Sequence, residues 1–395
     1  MFYERKKYKE IKKLFYYDEI VVLTGMRRVG KTTLMKRIFD ELENSNKVLL
    51  NMENPLDQTL FEELDFNNIP GNLSAMGINT DEKAYIFIDE IQNFPKIVLP
   101  IKYLYDHYNI KFFVTGSSSY YLKNLFPESL SGRKVIVELF PLDFEEFLVF
   151  KGKDIAFKTD FEEKARKKNL VRYEKNKILY EEYLKYGGFP QVVLAPTIDK
   201  KEMYLKDIFS SYFEQDVKSL ADFKNINSLR DLIILLISRI GSKIDISKIS
   251  SILGISRPTV YSYLSFLEQT FFIFLINQFS KNADREMSGA KKVYFCDTGI
   301  INYLSNGSGN GSILENAVFN NLRQFGKIQY YQNRHGSEID FVLRDLNTAI
   351  EVKSKAIPQH INKLMRLSNT VGLKNYFVVS KEFVNNDKII QASDL

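Results

Sequence analysis

Eight residues, GMRRVGKT from Gly25 to Thr32, constrain this chain more than any other stretch. They fit G-x-x-x-x-G-K-[ST], and their neighbours fix how the chain folds around them. EIVVLTG before them is an apolar, β-branched run that reads as a strand. TLMKRIFDEL after them carries Leu34, Ile38 and Leu42 at helical spacing. Strand, glycine loop and helix aim successive backbone N–H groups at a phosphate chain at the helix N-terminus. Gly25 and Gly30 permit torsions and close approach that a side chain would block. In this pattern Lys31 reaches the β- and γ-phosphates and the Thr32 hydroxyl ligates Mg²⁺. Arg28 and Thr33, within and just after the loop, are further nucleotide-contact candidates. The expectation is a nucleoside triphosphate site.

A second motif supplies the other half of such a site. AYIFIDEIQ contains an apolar strand, Tyr85 to Ile88, ending in Asp89 and Glu90. A carboxylate at the C-terminal end of a parallel strand falls on the phosphate-loop side of the sheet. Asp89 is placed to hold the Mg²⁺ shell and Glu90 to orient and deprotonate the attacking water. A further strand, IKFFVTG, ends in Thr115, Gly116, Ser117 and Ser118, where a hydroxyl, Ser117 in particular, is positioned to sense a γ-phosphate; taken alone, the run is a turn after a strand. No Asn/Thr-Lys-x-Asp guanine-reading motif follows these strands, so ATP is expected rather than GTP.

At 395 residues the chain exceeds one ordinary core, and two to four domains are expected. A hydrophobic content of 45% and a charged content of 26% are those of a globular protein. No apolar run approaches the ~18 residues of a membrane span, so no membrane association is expected. The basic start, MFYERKKYKEIKK, has no apolar segment behind it and is not read as a signal peptide. A lone cysteine, Cys296, excludes an internal disulfide and suits a reducing, cytoplasmic setting. His107, His335 and His360 are too scattered for a Cys/His zinc site. The net charge of +6 is mild, but Arg5, Lys6, Lys7, Lys9, Lys12 and Lys13 cluster, as do the bases of KARKKNLVRYEKNK from Lys164 to Lys177. Such stripes can sit on a phosphate backbone; more often they are solvated helix faces.

Strand–helix alternation from about Glu19 to Val137 reads as a parallel α/β sheet, giving a P-loop ATPase domain at 1–140. Helical pattern follows across 141–240, broken at GGFP (Gly187 to Pro190). Within 241–304, ISKISSILGISRPTVYSYLSFLEQ reads as a helix-turn-helix. Ile246, Ile249 and Leu253 line its first helix and Gly254 makes the turn. Ser256 is the N-cap, and Val260, Leu264 and Leu267 face inward. FFIFLINQF and KKVYFCD pair as the wing of a winged helix. Arg257, Thr259, Tyr261 and Ser262 then either meet a DNA groove or lie on a module used only for packing. SNGSGNGS, from Ser305 to Ser312, reads as a flexible linker before a last domain at 305–395.

That last domain carries its own charged constellation. ILENAVFNNLRQFG is a helix candidate with Glu315 near its start, and IQYYQ, SEIDFVL and TAIEVKS are strand-like. Asp340 opposes the apolar face of Ile339 and Phe341, while Glu351 and Lys353 share one face of the next strand. Helix Glu, strand Asp, then Glu-x-Lys is the layout of restriction-endonuclease-like folds. Asp340 and Glu351 would hold Mg²⁺ to generate hydroxide, Lys353 would balance charge on the phosphate, and Glu315 would complete the shell. Glu-x-Lys alone would be no more than the outer face of a half-buried strand; four members in order point to the fold.

With both sites in view, the chain resembles archaeal and bacterial AAA-type ATPases that carry a C-terminal restriction-endonuclease-like domain. The resemblance runs from about Tyr16 to Ser380. It rests on GMRRVGKT, FIDEIQ, TGSSS, SLSGR, PLDFEEF, GGFP, YFCDTG, LENAVFNNL, GSEIDFVL and IEVKS. It implies an ATPase core, a winged-helix middle and a nuclease-like end. It also implies that Arg133 in SLSGR is an arginine finger or sensor, acting in cis or on a neighbouring subunit of a homo-oligomer. Two function classes follow. One is an ATPase that controls or drives DNA processing by a nuclease; the other is an ATP-dependent switch that binds DNA or a protein without cutting.

Overall fold

The computed structural model describes residues 3–117, 132–155, 157, 160–217, 226–280, 282–305 and 310–395. The chain forms two compact units, Met1–Phe140 with Gln269–Phe271, and Pro141–Glu268 with Phe272–Leu395. Among the described residues, no helix is long and apolar enough to cross a membrane.

In the first unit, β1 (Ile20–Thr24), β2 (Lys47–Asn51), β3 (Ala84–Asp89), β4 (Ile110–Gly116) and β5 (Lys134–Glu138) form a parallel sheet. Their order is β2-β3-β4-β1-β5. Every residue of β1 and β4 is buried, as their near-continuous apolar runs require of strands covered on both faces. Ile86, Ile88, Phe112 and Val114 share a core with Ile97, Ile101 and Leu104. The helix Lys31–Glu41 buries Leu34, Met35 and Ile38. Its Phe39 meets Phe87 edge-on at 5.3 Å, and Phe87 stacks on Phe113 at 4.7 Å. Leu42, expected on the helical face, falls just past the helix with extended torsions, and Met35 completes the buried stripe instead.

The basic N-terminal run is a helix, Lys6–Lys13. Lys7, Lys9 and Lys12 pair with Glu10, Glu4 and Glu41. Arg5 is buried and donates to the carbonyls of Val29 at 2.9 Å and Phe140 at 2.8 Å. The second basic stretch behaves alike: Arg166, Lys167 and Arg172 pair with Glu162, Glu163 and Asp394, and Lys164 is buried against Glu145. Both stripes are thus substantially neutralised by neighbouring acids, in keeping with the commoner reading of such runs.

In the second unit, the helices Ile246–Leu253 and Arg257–Gln269 are joined at Gly254, whose φ of 63° places it in the left-handed region. Ser256 accepts from the Thr259 N–H at 3.2 Å, the cap expected. Ile249, Val260, Leu264 and Leu267 are buried, whereas Ile246 and Leu253 are only half-buried. β6 (Ile273–Ile276) and β7 (Lys292–Phe295) pair antiparallel. A second sheet comprises β8 (Ile328–Gln332), β9 (Glu338–Leu343), β10 (Thr348–Lys353), β11 (Asn375–Ser380) and β12 (Ile389–Gln391). It is ordered β12-β11-β10-β9-β8, antiparallel from β8 to β10 and parallel from β10 to β12. The helix Pro358–Val371 buries Leu364, Leu367 and Val371 against Ile339, Val342 and Ala349. The helix Asn310–Leu322 packs on β7 and β10. The Gly/Ser/Asn run is therefore not linker throughout: Asn310, Gly311 and Ser312 form the first turn of that helix, and 306–309 lie outside the described residues.

GGFP and YFCDTG turn out to be two sides of one clasp. The buried Asp297 carboxylate accepts from the N–H groups of Gly188 at 2.6 Å, Gly299 at 2.8 Å and Ile300 at 3.2 Å. Burial pushes its carboxyl up to about 6, and these donors offset only part of that. At Gly187, φ 75°, a Cβ would stand 2.0 Å from Asp297 Oδ1. Asp297→Ala would leave three buried N–H donors unpaired, at roughly 1–3 kcal/mol each. The urea-unfolding midpoint should fall by an amount equivalent to about 3 kcal/mol or more; an unchanged midpoint would remove the clasp from the stabilising contacts.

Candidate functional site

The GMRRVGKT loop leaves β1 and enters the helix Lys31–Glu41. Gly25 has φ 144°, and a Cβ there would stand 2.0 Å from the Leu139 carbonyl oxygen. Gly30, at φ 97°, is the left-handed N-cap. Arg28 is exposed at φ 64°, a conformation uncommon for a side-chain-bearing residue and found at ligand-holding turns. Lys31 is buried, and its ammonium donates to the carbonyls of Gly25 at 2.9 Å and Met26 at 3.0 Å. It therefore lies across the hollow of its own loop. Thr33 is exposed on the first helical turn.

β4 lies between β1 and β3, so Asp89 stands two strands from the loop. Thr32 Oγ1 donates to Asp89 Oδ1 at 3.2 Å, and the Thr115 hydroxyl donates to the same oxygen. The Glu90 N–H donates to Thr115 Oγ1 at 3.1 Å, and Glu90 itself is left-handed at φ 52°. Two residues not singled out from sequence complete the group. Gln92 donates to Glu90 Oε2 and accepts from the Ser117 N–H at 3.3 Å, joining the acid to β4. Thr24 Oγ1, at the end of β1, and Ser117 Oγ are both buried without a hydrogen-bond partner. Ser118 and residues 129–131 of SLSGR lie outside the described residues.

Arg133 sits elsewhere. It immediately precedes β5, which runs parallel to β1 with Lys134 opposite Ile20. It is therefore at the strand-start edge, whereas the loop follows the strand ends. Its guanidinium pairs with Asp106 at 3.3 Å. Five residues of strand at about 3.3 Å each separate the two edges. Arg133 thus stands on the edge of the sheet opposite the glycine loop of its own chain.

In the second unit, Glu315, Asp340, Glu351 and Lys353 do come together. The Val352 N–H donates to Asp340 Oδ2 at 2.8 Å, and Lys353 Nζ lies 2.7 Å from Glu351 Oε1. Glu351 is only 4% exposed, while Lys353 on the same face of β10 is half-buried. Tyr294 donates its hydroxyl to Glu315 Oε1 at 2.6 Å. Glu338, on the same face of β9 as Asp340, pairs with the buried Lys292. Burial raises the Asp340 carboxyl above the usual carboxylate range, and the charges of Glu351 and Glu315 add to this. Burial likewise raises Glu315, against the opposing effects of Lys292 and the Tyr294 hydroxyl. Burial would lower Lys353, but Asp340, Glu351 and Glu315 outweigh it and hold the ammonium above its ordinary value. Among the described residues, no three His, Cys, Asp or Glu side chains converge tightly enough to hold a metal ion. Two carboxylates, Asp340 and Glu351, with water and phosphate oxygens, are nonetheless a common donor set for Mg²⁺.

A protein-family model described as "AAA domain" matches residues 17–148. Two others, described as domains of unknown function (DUF8612 and DUF4143), match 177–310 and 310–391. The chain is 32% identical over 338 residues to "Uncharacterized protein MJ1544" of Methanocaldococcus jannaschii, covering 82% of this chain and 72% of that one. It belongs to this family of AAA-domain proteins. An uncharacterized protein of Haemophilus influenzae is 30% identical over 351 residues, covering 85% and 82%. Among solved structures, the Walker-type ATPase PABY2304 of Pyrococcus abyssi is similar at a TM-score of 0.49 and 15% identity, covering 77% of this chain and 96% of that one.

The first unit is thus an AAA-type ATPase core. The residues fit a triphosphate on their own terms. The ammonium of Lys31 lies over loop carbonyls, and two buried hydroxyls without partners, Thr24 and Ser117, stand at adjoining strand ends. Thr32 and Asp89 offer the oxygen pair a hard divalent cation takes. Lys31→Ala should abolish ATP binding and turnover, because it is the loop's lysine. Glu90→Gln should still bind ATP and be stabilised by it, by ~2.7 kcal/mol at a hundredfold excess over Kd, yet fail to turn over. Gln92→Ala should lower kcat while leaving ATP affinity near that of the parent. Turnover at the parent rate in Glu90→Gln would refute the assignment of the base.

Proposed function

We propose that this AAA-domain protein hydrolyses ATP with Mg²⁺ and couples hydrolysis to DNA binding and cutting by its C-terminal region. The reading divides the chain into an ATPase domain at 1–140, a helical region at 141–240, a winged helix at 241–304 and a restriction-endonuclease-like domain at 305–395. The observation that carries the cutting activity is the buried Glu351 carboxylate paired with the half-buried Lys353 beside Asp340. Burying a carboxylate is costly, and perturbed charged groups of this kind cluster at functional sites. Asp340 and Glu351 would hold the divalent ion, which supplies a nucleophilic hydroxide. Lys353 would stand against the phosphate charge that builds during attack. The helix Arg257–Gln269, with Arg257, Tyr261 and Ser262 exposed, is the element offered to a DNA groove. The work is assigned to the cytoplasm, in keeping with the lone, reduced Cys296.

The second reading, an ATP-dependent switch that binds DNA or a protein without cutting, draws on one observation. Among the described residues, the carboxylates are engaged pairwise by Lys353, Tyr294 and Val352 rather than converging as a threesome. Purified protein on single- and double-stranded DNA with Mg²⁺ or Mn²⁺, with and without ATP, separates the two. Glu351→Ala should keep DNA affinity and lose all metal-dependent nicking. Arg257→Ala should weaken DNA binding, and binding by the parent should fall as salt rises. Nicking that survives Glu351→Ala in clean protein would sink the cutting reading.

The place of Arg133 at the far edge of its sheet favours action on a neighbouring copy. ATP turnover per subunit should then rise with protein concentration. Mixing Arg133→Ala with Lys31→Ala protein should restore part of the activity, each supplying what the other lacks. Well-assembled mixtures without recovery would count against the role in trans.

A further inference from the structure

Beside the turn between β8 and β9 lies a cavity of about 700 Å³, within the range of roughly 300–1,000 Å³ usual for ligand sites. Three places in the second unit supply its walls: Gln278 and Phe279 after β6, Tyr331 to His335 at the turn, and the end of the helix Pro358–Val371. Two backbone hydrogen bonds join the chain after β6 to β8. The Phe279 N–H donates to the Tyr330 carbonyl at 2.6 Å, and the Tyr330 N–H to that of Asn277 at 3.1 Å. Phe279 and Tyr331 thereby reach one cavity, both rings half-buried and packed against the core of the sheet. The turn itself is held at its base. Asn333 Oδ1 accepts from the N–H groups of His335 and Ser337, both at 2.9 Å, and the Asn333 N–H donates to the Ser337 carbonyl at 2.9 Å. Gly336, at φ 83°, takes the left-handed step that closes the turn. Two donors fix the Asn333 amide in one orientation, and its nitrogen has no hydrogen-bond partner among the described residues. Arg334 and His335 stand exposed at the tip, and among the described residues neither side chain has a partner. That sets Arg334 apart from Lys7, Arg166 and Arg172, which are matched with acids. Among the described residues lining the cavity, none is acidic. Two rings, amides, an arginine and a histidine without a carboxylate suit an anion that carries a flat ring.

We infer that this cavity takes one unpaired nucleotide of a DNA strand, its base against the Phe279 and Tyr331 rings and its phosphate at Arg334 and His335. This rests on the DNA-binding reading above and asks for no metal. Every base has a π-face, so stacking on the rings accepts any sequence but requires a base out of its duplex. The fixed Asn333 amide offers a donor to the base edge, and an arginine fork matches phosphate oxygens with two parallel hydrogen bonds. β9 starts from the same turn, and Asp340 lies two residues past Glu338, about 7 Å along the strand. A nucleotide held at the turn therefore leaves the next stretch of its strand within reach of Asp340. Single-stranded or frayed DNA, rather than intact duplex, is the substrate class.

The chain has no tryptophan, so Phe279→Trp places a single reporter in the cavity. In the nucleotide-free, full-length protein with a chelator present, a mixed-sequence DNA oligonucleotide should quench that fluorescence as a single strand and not as a blunt duplex. By anisotropy the parent should bind the single strand more tightly than the duplex. Phe279→Leu keeps an apolar side chain on the core and deletes the ring. It should weaken single-strand binding about fivefold or more and leave duplex binding alone, and Phe279→Tyr should restore the loss. Arg334→Ala, at an exposed turn, should reduce the salt slope of single-strand binding by about 0.7, the share of one phosphate contact. If Phe279→Leu and Arg334→Ala bind the single strand as the parent does, the inference is overturned and the DNA reading stands. Equal losses on strand and duplex in Phe279→Leu would also overturn it, as a loosening of the sheet edge. Quenching by a free deoxynucleoside monophosphate as strong as by the strand would overturn the strand in favour of a free nucleotide. If the parent binds neither form of DNA, the DNA reading itself fails and takes the inference with it.

Discussion

One oxygen, Asp89 Oδ1, joins the parts of the ATPase core that its sheet order keeps apart. Neighbouring strands lie about 4.8 Å apart, so the insertion of β4 puts the ends of β1 and β3 nearly 10 Å from each other. Thr115 on the inserted strand fills that gap from below, and Thr32 reaches over from the first helical turn. The two hydroxyls tie loop, helix and both strands to a single carboxylate. The same Thr115 oxygen takes the Glu90 N–H, which fixes the left-handed residue where the chain leaves β3. Gln92 then holds the Glu90 side chain against the backbone of Ser117. Each link is short-range, but the set makes the position of Glu90 depend on the strand that separates it from the glycine loop.

The second unit poses a charge problem. Glu315, Glu338, Asp340 and Glu351 bring four carboxylates together, while Lys292 and Lys353 bring two ammonium groups. An uncompensated negative charge in a buried place is expensive and is relieved in one of two ways. A carboxyl takes up a proton, the tendency seen in the raised Asp340 and Glu315, or a cation enters. Glu338 and Glu351 have ammonium partners, whereas Asp340 and Glu315 accept hydrogen bonds from the neutral Val352 N–H and Tyr294 hydroxyl.

What the sequence made legible is what local chemistry determines. Glycine spacing, a following amphipathic helix and β-branched runs located the loop, the strands of the first sheet and the acids at their ends. Glu315, Asp340, Glu351 and Lys353 were readable because each lies in a strongly patterned helix or strand. Arg5, Gln92, Lys292 and Tyr294 were not, since their partners are set by tertiary contact: the carbonyl of Val29, the backbone of Ser117, and carboxylates 21 and 46 residues away. Asp297 belongs with them, as nothing local to YFCDTG announces a clasp on Gly188. Arg133 is a different case. It directly precedes a strand of a parallel sheet, and residues before such strands stand on the edge opposite the loop; motif resemblance concealed what the strand order implies.

The charge pattern bears on how DNA would be held under the proposed reading. Many lysines and arginines of the two basic stripes are matched with acids of their own unit. The exposed helix offered to a groove, RPTVYSYLSFLEQ, carries Arg257 as its sole base and Glu268 near its end. Affinity from phosphate contacts scales with the number of charges neutralised, so one such helix contributes few of them. Copies held together change the arithmetic, because the second helix then meets DNA at an effective concentration in the millimolar range rather than that of free protein. An arginine presented at the edge of the sheet away from its own loop would make the same demand. Under the proposed reading, weak single-copy contact and an Arg133 acting on a neighbouring copy would both favour assembly as the state in which ATP and DNA are bound together.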